Sequence, residues 1–298
     1  MTIYFIPKTL HKTVAIAVLN VFVFPLSLYS QQDNHQKYNL ITNSNTVGIG
    51  YSRILDPYLS PFEYSGSHIE YQNDKQRFLS SKDSIFSYQN TLNLIVGDAK
   101  HPTRINSMLF VNTNYDVSIH YRWRTPVDNL ICLMGGSWDW NLGGKYISRN
   151  VNNPFSLDLY TNINGRISSN YKFEVDFFHL FKQNFRIEYG VKIPLAGIMF
   201  VPEQGVSYYE LFSLRNLSNT FHFSSIHNRR GISHQLHLDI PLNITTFQIG
   251  MRQQFLQYKA NNMVMHNNNI SISIGCVVHL HVFRRSKNIP SENFRLSY

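Results

Sequence analysis

Thirteen histidines are spread among the polar residues of the chain, several beside acids or hydroxyls where extended segments are expected to end. His68, Asp98, His101, Asp158, His222 and His227 are the candidates for chemistry at an open rim. A His/Asp or Ser/His pair activates a water or a hydroxyl when the two lie within hydrogen-bond reach, and a rim pair within about 3 Å would signal a hydrolase. Spacing alone brings none of these groups together, and thirteen histidines produce such neighbours by chance. His279-x-His281 is the nearest thing to metal-ligand spacing, but a metal site needs a third ligand and hydrogen bonds that orient the rings. Gly135-Gly136 and Gly143-Gly144 precede no helix, so they read as bends or close strand approaches and not as phosphate cradles. No catalytic residue, metal or cofactor is therefore expected. The reading is a non-enzymatic protein, with a hydrolase carrying a rim Asp/His or Ser/His site as the alternative.

The elements that would position these groups alternate with a period of two, which sends successive side chains to opposite faces of a strand. Over 106–124, Leu109, Val111, Tyr115, Val117, Ile119, Tyr121 and Trp123 share one face; Asn112, Asn114, Asp116, Ser118, His120, Arg122 and Arg124 share the other. Residues 155–177 and 270–282 repeat the pattern, with Val277 alone out of phase in the latter. These runs exceed the usual length of soluble strands. Their aromatics near the ends resemble membrane-interface girdles, and no segment after residue 30 is apolar enough for a spanning helix. In lipid, a helix-free chain must close its sheet to satisfy its backbone. The expected fold is all-β, a closed antiparallel transmembrane barrel of about ten strands, near 46–55, 66–79, 86–98, 105–124, 129–149, 155–179, 185–198, 231–241, 244–258 and 268–283. Twelve strands follow if the excursion between Pro202 and Arg230 hides a hairpin. Connections near Ser81, Pro126, Lys182 and Pro241 read as tight. Those near 57–65, His101, Asn152, 202–230 and 260–267 read as mostly longer.

Lys8, Lys12 and the apolar run Val14 to Phe24 have the order of a secretory signal, with cleavage expected after Ser30. The organisation is then a signal peptide at 1–30, a periplasmic lead at 31–45, the barrel at 46–283 and a tail at 284–298. Loss of two bases and no acid takes the net charge from +9 to +7. In an exported chain without a basic run this argues against nucleic acid; outer-membrane lipid and lipopolysaccharide are the expected surroundings, with room for an outer-membrane or surface protein partner. Cys132 and Cys276 both fall in apolar phase and are expected as free thiols facing lipid.

The inward phase is charged with both signs. Asp116, His120, Arg122, Arg124, Asp139, Arg166, Lys172, Glu174, Arg186, Glu188 and Arg252 are the expected polar network of the lumen, accompanied by Lys145, Asp176, Lys192, His237, Asp239, His279 and His281. A barrel of this size is only slightly wider than one that side chains fill, so a structural ion-pair network is favoured over a selective channel. The excursion Val201 to Arg230 is rich in aromatics, and Tyr208, Tyr209 and Phe212 are expected to cap the mouth while Arg215, Arg229 and Arg230 stay solvated. The roles left open are a narrow transport channel, surface binding or envelope structure.

Several stretches look familiar in order along the chain: Leu55-Asp56-Pro57-Tyr58-Leu59-Ser60-Pro61, His120-Tyr121-Arg122-Trp123, Gly135-Gly136-Ser137-Trp138-Asp139, Ser148-Arg149-Asn150 with Asn153-Pro154, Pro194-Leu195-Ala196-Gly197-Ile198-Met199-Phe200, and Gln204 to Leu214. The sequence resembles an uncharacterised family of Bacteroidales outer-membrane barrels. That resemblance implies a barrel and the outer membrane, and it implies no activity. The chain departs from the resemblance in its tail, where Arg284 to Tyr298 continue past the point at which such proteins usually stop on an aromatic.

Overall fold

The computed structural model describes residues 36–79, 85–148, 154–177, 181–242 and 245–285; the expected signal at 1–30 and the tail beyond 285 lie outside them. The strands are β1 (Gln36–Leu55), β2 (Glu63–Phe78), β3 (Phe86–Lys100), β4 (Ser107–Arg124), β5 (Leu130–Ile147), β6 (Phe155–Phe177), β7 (Phe181–Phe200), β8 (Phe221–Ser225), β9 (Arg229–Pro241), β10 (Thr246–Ala260) and β11 (Met263–Arg285). A single short helix, α1 (Tyr208–Phe212), lies between β7 and β8. Each strand pairs antiparallel with its neighbour. The sheet closes where β1 meets β11, from Gln36↔Arg285 to Leu55↔His266. Ten of the strands form the closed barrel. β8 extends only the top of β7, pairing Phe200 with Phe221 and Ala196 with Ser225. We call the end carrying residues 56–62 and 201–220 the upper end; Gln36 and Arg285 are at the lower end.

The period-two pattern puts the charged phase inside. Asp116, Ser118, His120 and Arg122 of β4 are buried, while Leu109, Ile119, Tyr121 and Trp123 are exposed on the outward face. An outer wall that is mostly apolar suits hydrocarbon, not water. Its aromatics gather toward both ends: Tyr171, Phe173 and Phe185 stack near the lower end, and Phe155, Phe221 and Phe223 stand near the upper. Cys132 and Cys276 are free and partly exposed on this face.

Two expectations about the elements are corrected, and the count stays at ten and not twelve. β1 starts at Gln36, so most of the expected lead at 31–45 is barrel wall. Its outward residues Asn43 and Asn45 are polar, which hides the alternation; Asn73 Nδ2 donates to both side-chain oxygens at 2.8 Å across the β1–β2 pair. The connection expected at 260–267 is a tight turn at Asn261 and Asn262, whose φ of 49° and 59° are the left-handed values that a type I′ hairpin requires. The excursion hides the single strand β8 and no hairpin, so Phe221 and Phe223 lie on the outer wall and cap nothing.

Candidate functional site: a filled lumen and a plugged mouth

The middle of the lumen is built from inward positions of neighbouring strands. Asp116 and Asp139 are directly opposite each other on β4 and β5, a pairing of like charges that would repel without cations between them. Lys192 of β7 reaches across and donates to Asp116 Oδ2 at 3.0 Å and to Asp139 Oδ2 at 3.1 Å. Arg166 of β6 lies 3.7 Å from Asp116 Oδ1 and donates to Ser118 Oγ at 3.4 Å. Ser137 Oγ donates to Asp116 at 2.9 Å, and Asn162 Nδ2 to Asp139 Oδ1 at 3.0 Å. On the far wall, Glu70 of β2 accepts from Arg252, Asn93 and Ser271. Lower down, Arg186 holds Asp239 at 2.7 Å with Glu188 at 3.6 Å, and Gln248 completes the Asp239 carboxylate. Most of the expected network is therefore brought together. Glu70 was not singled out, although His68, Glu70, Gln72, Asp74 and Gln76 alternate plainly; Asn73, Lys75 and Arg77 on the other face obscure them.

Other expected members lie away from the central carboxylates. His120 is fully buried, and among the described residues neither ring nitrogen has a hydrogen-bond partner. Arg122 lies over the Phe78 ring, 5.5 Å from its centroid. Arg124 and Glu174 are exposed near the lower end, where the strands project past the network. Lys172, half-buried, lines a small cavity near the lower end with Arg122 and Arg186.

The upper end is different in kind. Asp56-Pro57-Tyr58-Leu59 folds inward as a tight turn: the Asp56 carbonyl accepts from Leu59 N at 3.0 Å and Ser60 N at 2.9 Å, and its side chain accepts from Tyr58 N at 3.2 Å. Asp at the first position and Pro at the second favour this geometry. Tyr58 and Leu59 are thereby buried in an apolar cluster with Ile54, Tyr64, Met108, Phe110 and, from β10, Leu256 and Tyr258. Each fully buried side chain of this kind contributes about 1.5–3 kcal/mol. Beneath it lies a buried ion cluster. Lys145 Nζ is 3.0 Å from Asp56 Oδ2 and 3.6 Å from Asp158 Oδ2, and Ser156 Oγ donates to Asp56 at 2.9 Å.

The excursion packs on this plug through one of its three expected aromatics and along the rim through another. α1 is capped by Ser207, which accepts from Glu210 N while the Glu210 carboxylate accepts from Ser207 N. The spacing Ser207-x-x-Glu210 is the sequence signature of such a box and would have located the helix. Tyr208 meets Tyr58 edge-on at 5.6 Å, and its hydroxyl accepts from Leu157 N at 2.6 Å. Burial pushes the Tyr208 phenol up to about 12, so it stays neutral near pH 7. Phe212 stacks on Phe200 at 6.3 Å but is half exposed. Tyr209 points away, 68% exposed, and Leu211 takes the buried position expected of it. In a helix of one turn, residues 208 and 209 diverge by about 100° and cannot face the same surface. Asn261 Nδ2 ties the excursion down by donating to the carbonyls of Val201 and Asn219. Arg229, expected to be solvated, is 2% exposed, because the chain reaches β9 through a turn that carries this residue into the inward phase.

The rim candidates do not converge. Asp98 is exposed on the outer face, His101 bonds to Thr103 in its own turn at 2.7 Å, His227 bonds to Ser225, and Asp158 serves Lys145. His68 meets a hydroxyl, Ser52 Oγ at 2.7 Å from Nδ1, but inside the wall, with Ser52 fully buried. A Cβ at Gly50 would lie 2.4 Å from His68 Nε2, so only glycine leaves room for that ring. His279 Nδ1 lies 3.2 Å from Thr42 Oγ1. Among the described residues no group of three or more His, Cys, Asp or Glu is placed to hold a metal.

The chain is similar to the transport unit of the autotransporter AIDA-I from Escherichia coli at 7% identity and TM-score 0.41, covering 90% of this chain and 98% of that one. It is similar to the outer membrane protease OmpT from Escherichia coli at 7% identity and TM-score 0.42, covering 85% and 100%. No curated protein matches the chain. The family described as protein of unknown function (DUF3316) matches residues 14–287, nearly the whole length, and the chain belongs to that family.

Proposed function

We propose that this chain is an integral outer-membrane barrel without enzymatic activity, of Bacteroidales type by its resemblance, whose sealed lumen serves surface binding or envelope structure and not conduction. The observation that carries the reading is the filling of the lumen. Among the described residues, two cavities along it measure about 40 and 20 Å³, room for one or two waters each, and a third of about 30 Å³ lies at the wall between β7 and β9. Above them the Tyr58 plug closes the mouth with apolar side chains that water does not wet. The apolar outer wall supports a bilayer location, with lipid and lipopolysaccharide around it. The basic n-region and short apolar run support export through a cleaved signal. What remains accessible for a partner is the upper surface, where Tyr209 and Phe212 stand out of the excursion.

Refolded protein in a planar bilayer tests this. No single-channel steps are expected from the natural chain, and conductance should appear only when the plug and the mid-lumen bridge are both removed, as in the triple variant Asp56→Ala, Tyr58→Ala, Lys192→Ala. Steady ohmic conductance from the natural chain would overturn the sealed-lumen reading in favour of a narrow channel. A second reading, a hydrolase, is favoured by the Ser52–His68 contact. It requires Ser52 to become accessible, so covalent labelling by a fluorophosphonate that Ser52→Ala abolishes would establish it.

A further inference from the structure

The barrel wall is interrupted at one level. β7 and β9 pair from Arg186↔Asp239 up to Lys192↔Ser233; above that, β7 pairs with β8 from Ala196↔Ser225. Residues 193–195 and 226–232 have no paired register between these two ladders. The local sequence accounts for the break. Pro194 has no N–H to donate. Leu195 has no opposite residue on β6, because the register steps from Ile163↔Ala196 to Asn164↔Pro194. Asn228 folds the chain away from β7, accepting from Ser225 N at 2.9 Å and donating to the Phe223 carbonyl at 2.8 Å.

Behind the break lies a cavity of about 30 Å³ bounded by Pro194 and Gly231, with the outward residues Ile232 and Phe255 on one side and the lumenal Asp139 and Arg229 on the other. Arg229 is the unusual group. Its guanidinium lies 3.8 Å from the centroid of Tyr160 and 5.6 Å from that of Tyr258, and it is 2% exposed. Among the described residues it has no ion pair, and Nε and Nη1 are buried without a hydrogen-bond partner. The carboxylates of this region are already engaged: Asp139 by Lys192 and Asn162, Asp158 by Lys145. A guanidinium cannot shed its proton to escape burial. Ring faces stabilise the cation but leave its N–H donors unmet. Water would satisfy the donors without neutralising the charge, whereas an oxyanion does both.

We propose that Arg229 is the anchor of an oxyanion site at this break, taking a carboxylate or phosphate group. The anion is borne by an amphiphile whose chain lies outward across Ile232 and Phe255, or it arrives free from the aqueous side; both sources share the chemistry at Arg229. The site stands whether or not the lumen conducts.

The test uses the full chain in detergent micelles, with oleate, oleyl alcohol, acetate and inorganic phosphate as probes. Oleate, phosphate or both should raise the unfolding midpoint of the natural protein relative to chloride at equal ionic strength, since a ligand of the folded state stabilises it by mass action. Oleyl alcohol, which buries the same chain without a charge, should not. Binding should fall at least tenfold in Arg229→Gln, be partly restored in Arg229→Lys, and persist in Arg215→Gln, whose arginine is exposed on the excursion. Oleate binding that phosphate and acetate do not compete assigns the site to an amphiphile; competition by phosphate assigns it to a free anion. Equal binding by the natural chain and Arg229→Gln overturns the proposal. So does an unfolding midpoint of the natural chain that no anionic probe moves, a result that needs no variant to fold.

Discussion

The upper and middle parts of the lumen are lined by inward positions of the same strands, yet they are filled by opposite means. In the middle, two carboxylates, Asp116 and Asp139, are served by two cations, Lys192 and Arg166, with Ser137 and Asn162 taking remaining lone pairs. At the top, among the described residues, two carboxylates, Asp56 and Asp158, share the single cation Lys145 under a lid of apolar side chains. The middle is redundant and partly hydrated in character; Lys192 keeps 18% of its side-chain surface exposed against 7% for Lys145. Inside a barrel, then, the inward face is not one environment. Polar pairing fills the lumen where strands face each other across it, and apolar packing closes it where a turn can fold in.

The sharpest break of this comparison is Lys145→Met. It leaves two buried carboxylates without a cation and should cost about 3–5 kcal/mol, read as a lowered urea midpoint of the refolded barrel. The outer wall gives the next effect. Val117→Arg places a charge on the apolar outward face and should cost about 2–4 kcal/mol in a bilayer. If Val117→Arg is harmless while its inward neighbour Ser118→Leu abolishes assembly, the two faces are assigned the wrong way round. Lys192→Met should cost less than Lys145→Met, about 1–3 kcal/mol, because Arg166 still serves Asp116 and a small cavity beside the site has room for water. Equal losses for the two lysines would erase the distinction drawn between the two regions. The smallest effect belongs to Tyr209→Ala, expected within about 0.5 kcal/mol of the natural chain because its side chain is mostly in solvent. Tyr208→Ala should lower the midpoint by clearly more, since Tyr208 packs on Tyr58 and accepts from Leu157 N.

Much of this was legible in the sequence for a physical reason: a strand's period of two is a property of the backbone, so the residues that face lipid and those that face the lumen separate without tertiary information. The ten barrel strands, the outward Val117, Cys132 and Ile272, and the inward Asp116, Asp139, Arg166, Arg186 and Arg252 follow from it. The plug was partly legible too. Met108-Leu109-Phe110-Val111 and Ile198-Met199-Phe200-Val201 are apolar in both phases, which is how a strand reads when one face is on the apolar outer wall and the other packs on an apolar plug. β1 between Gln36 and Asn45 was not legible, because cross-strand amide bonds replace the apolar phase there.

What only the tertiary structure decided is which inward groups meet. Lys145 and Asp56 are 89 residues apart, and Arg252 and Glu70 are 182 apart. Such pairs depend on stagger around the closed sheet, a quantity no local pattern encodes. The same closure decided that Pro57-Tyr58-Leu59 folds into the mouth while Tyr209 turns out. It also decided that Arg229, placed by the sequence in a loop, is carried inside the wall at the break beside Pro194. Alternation assigns a residue to a face, but register and closure assign it a partner.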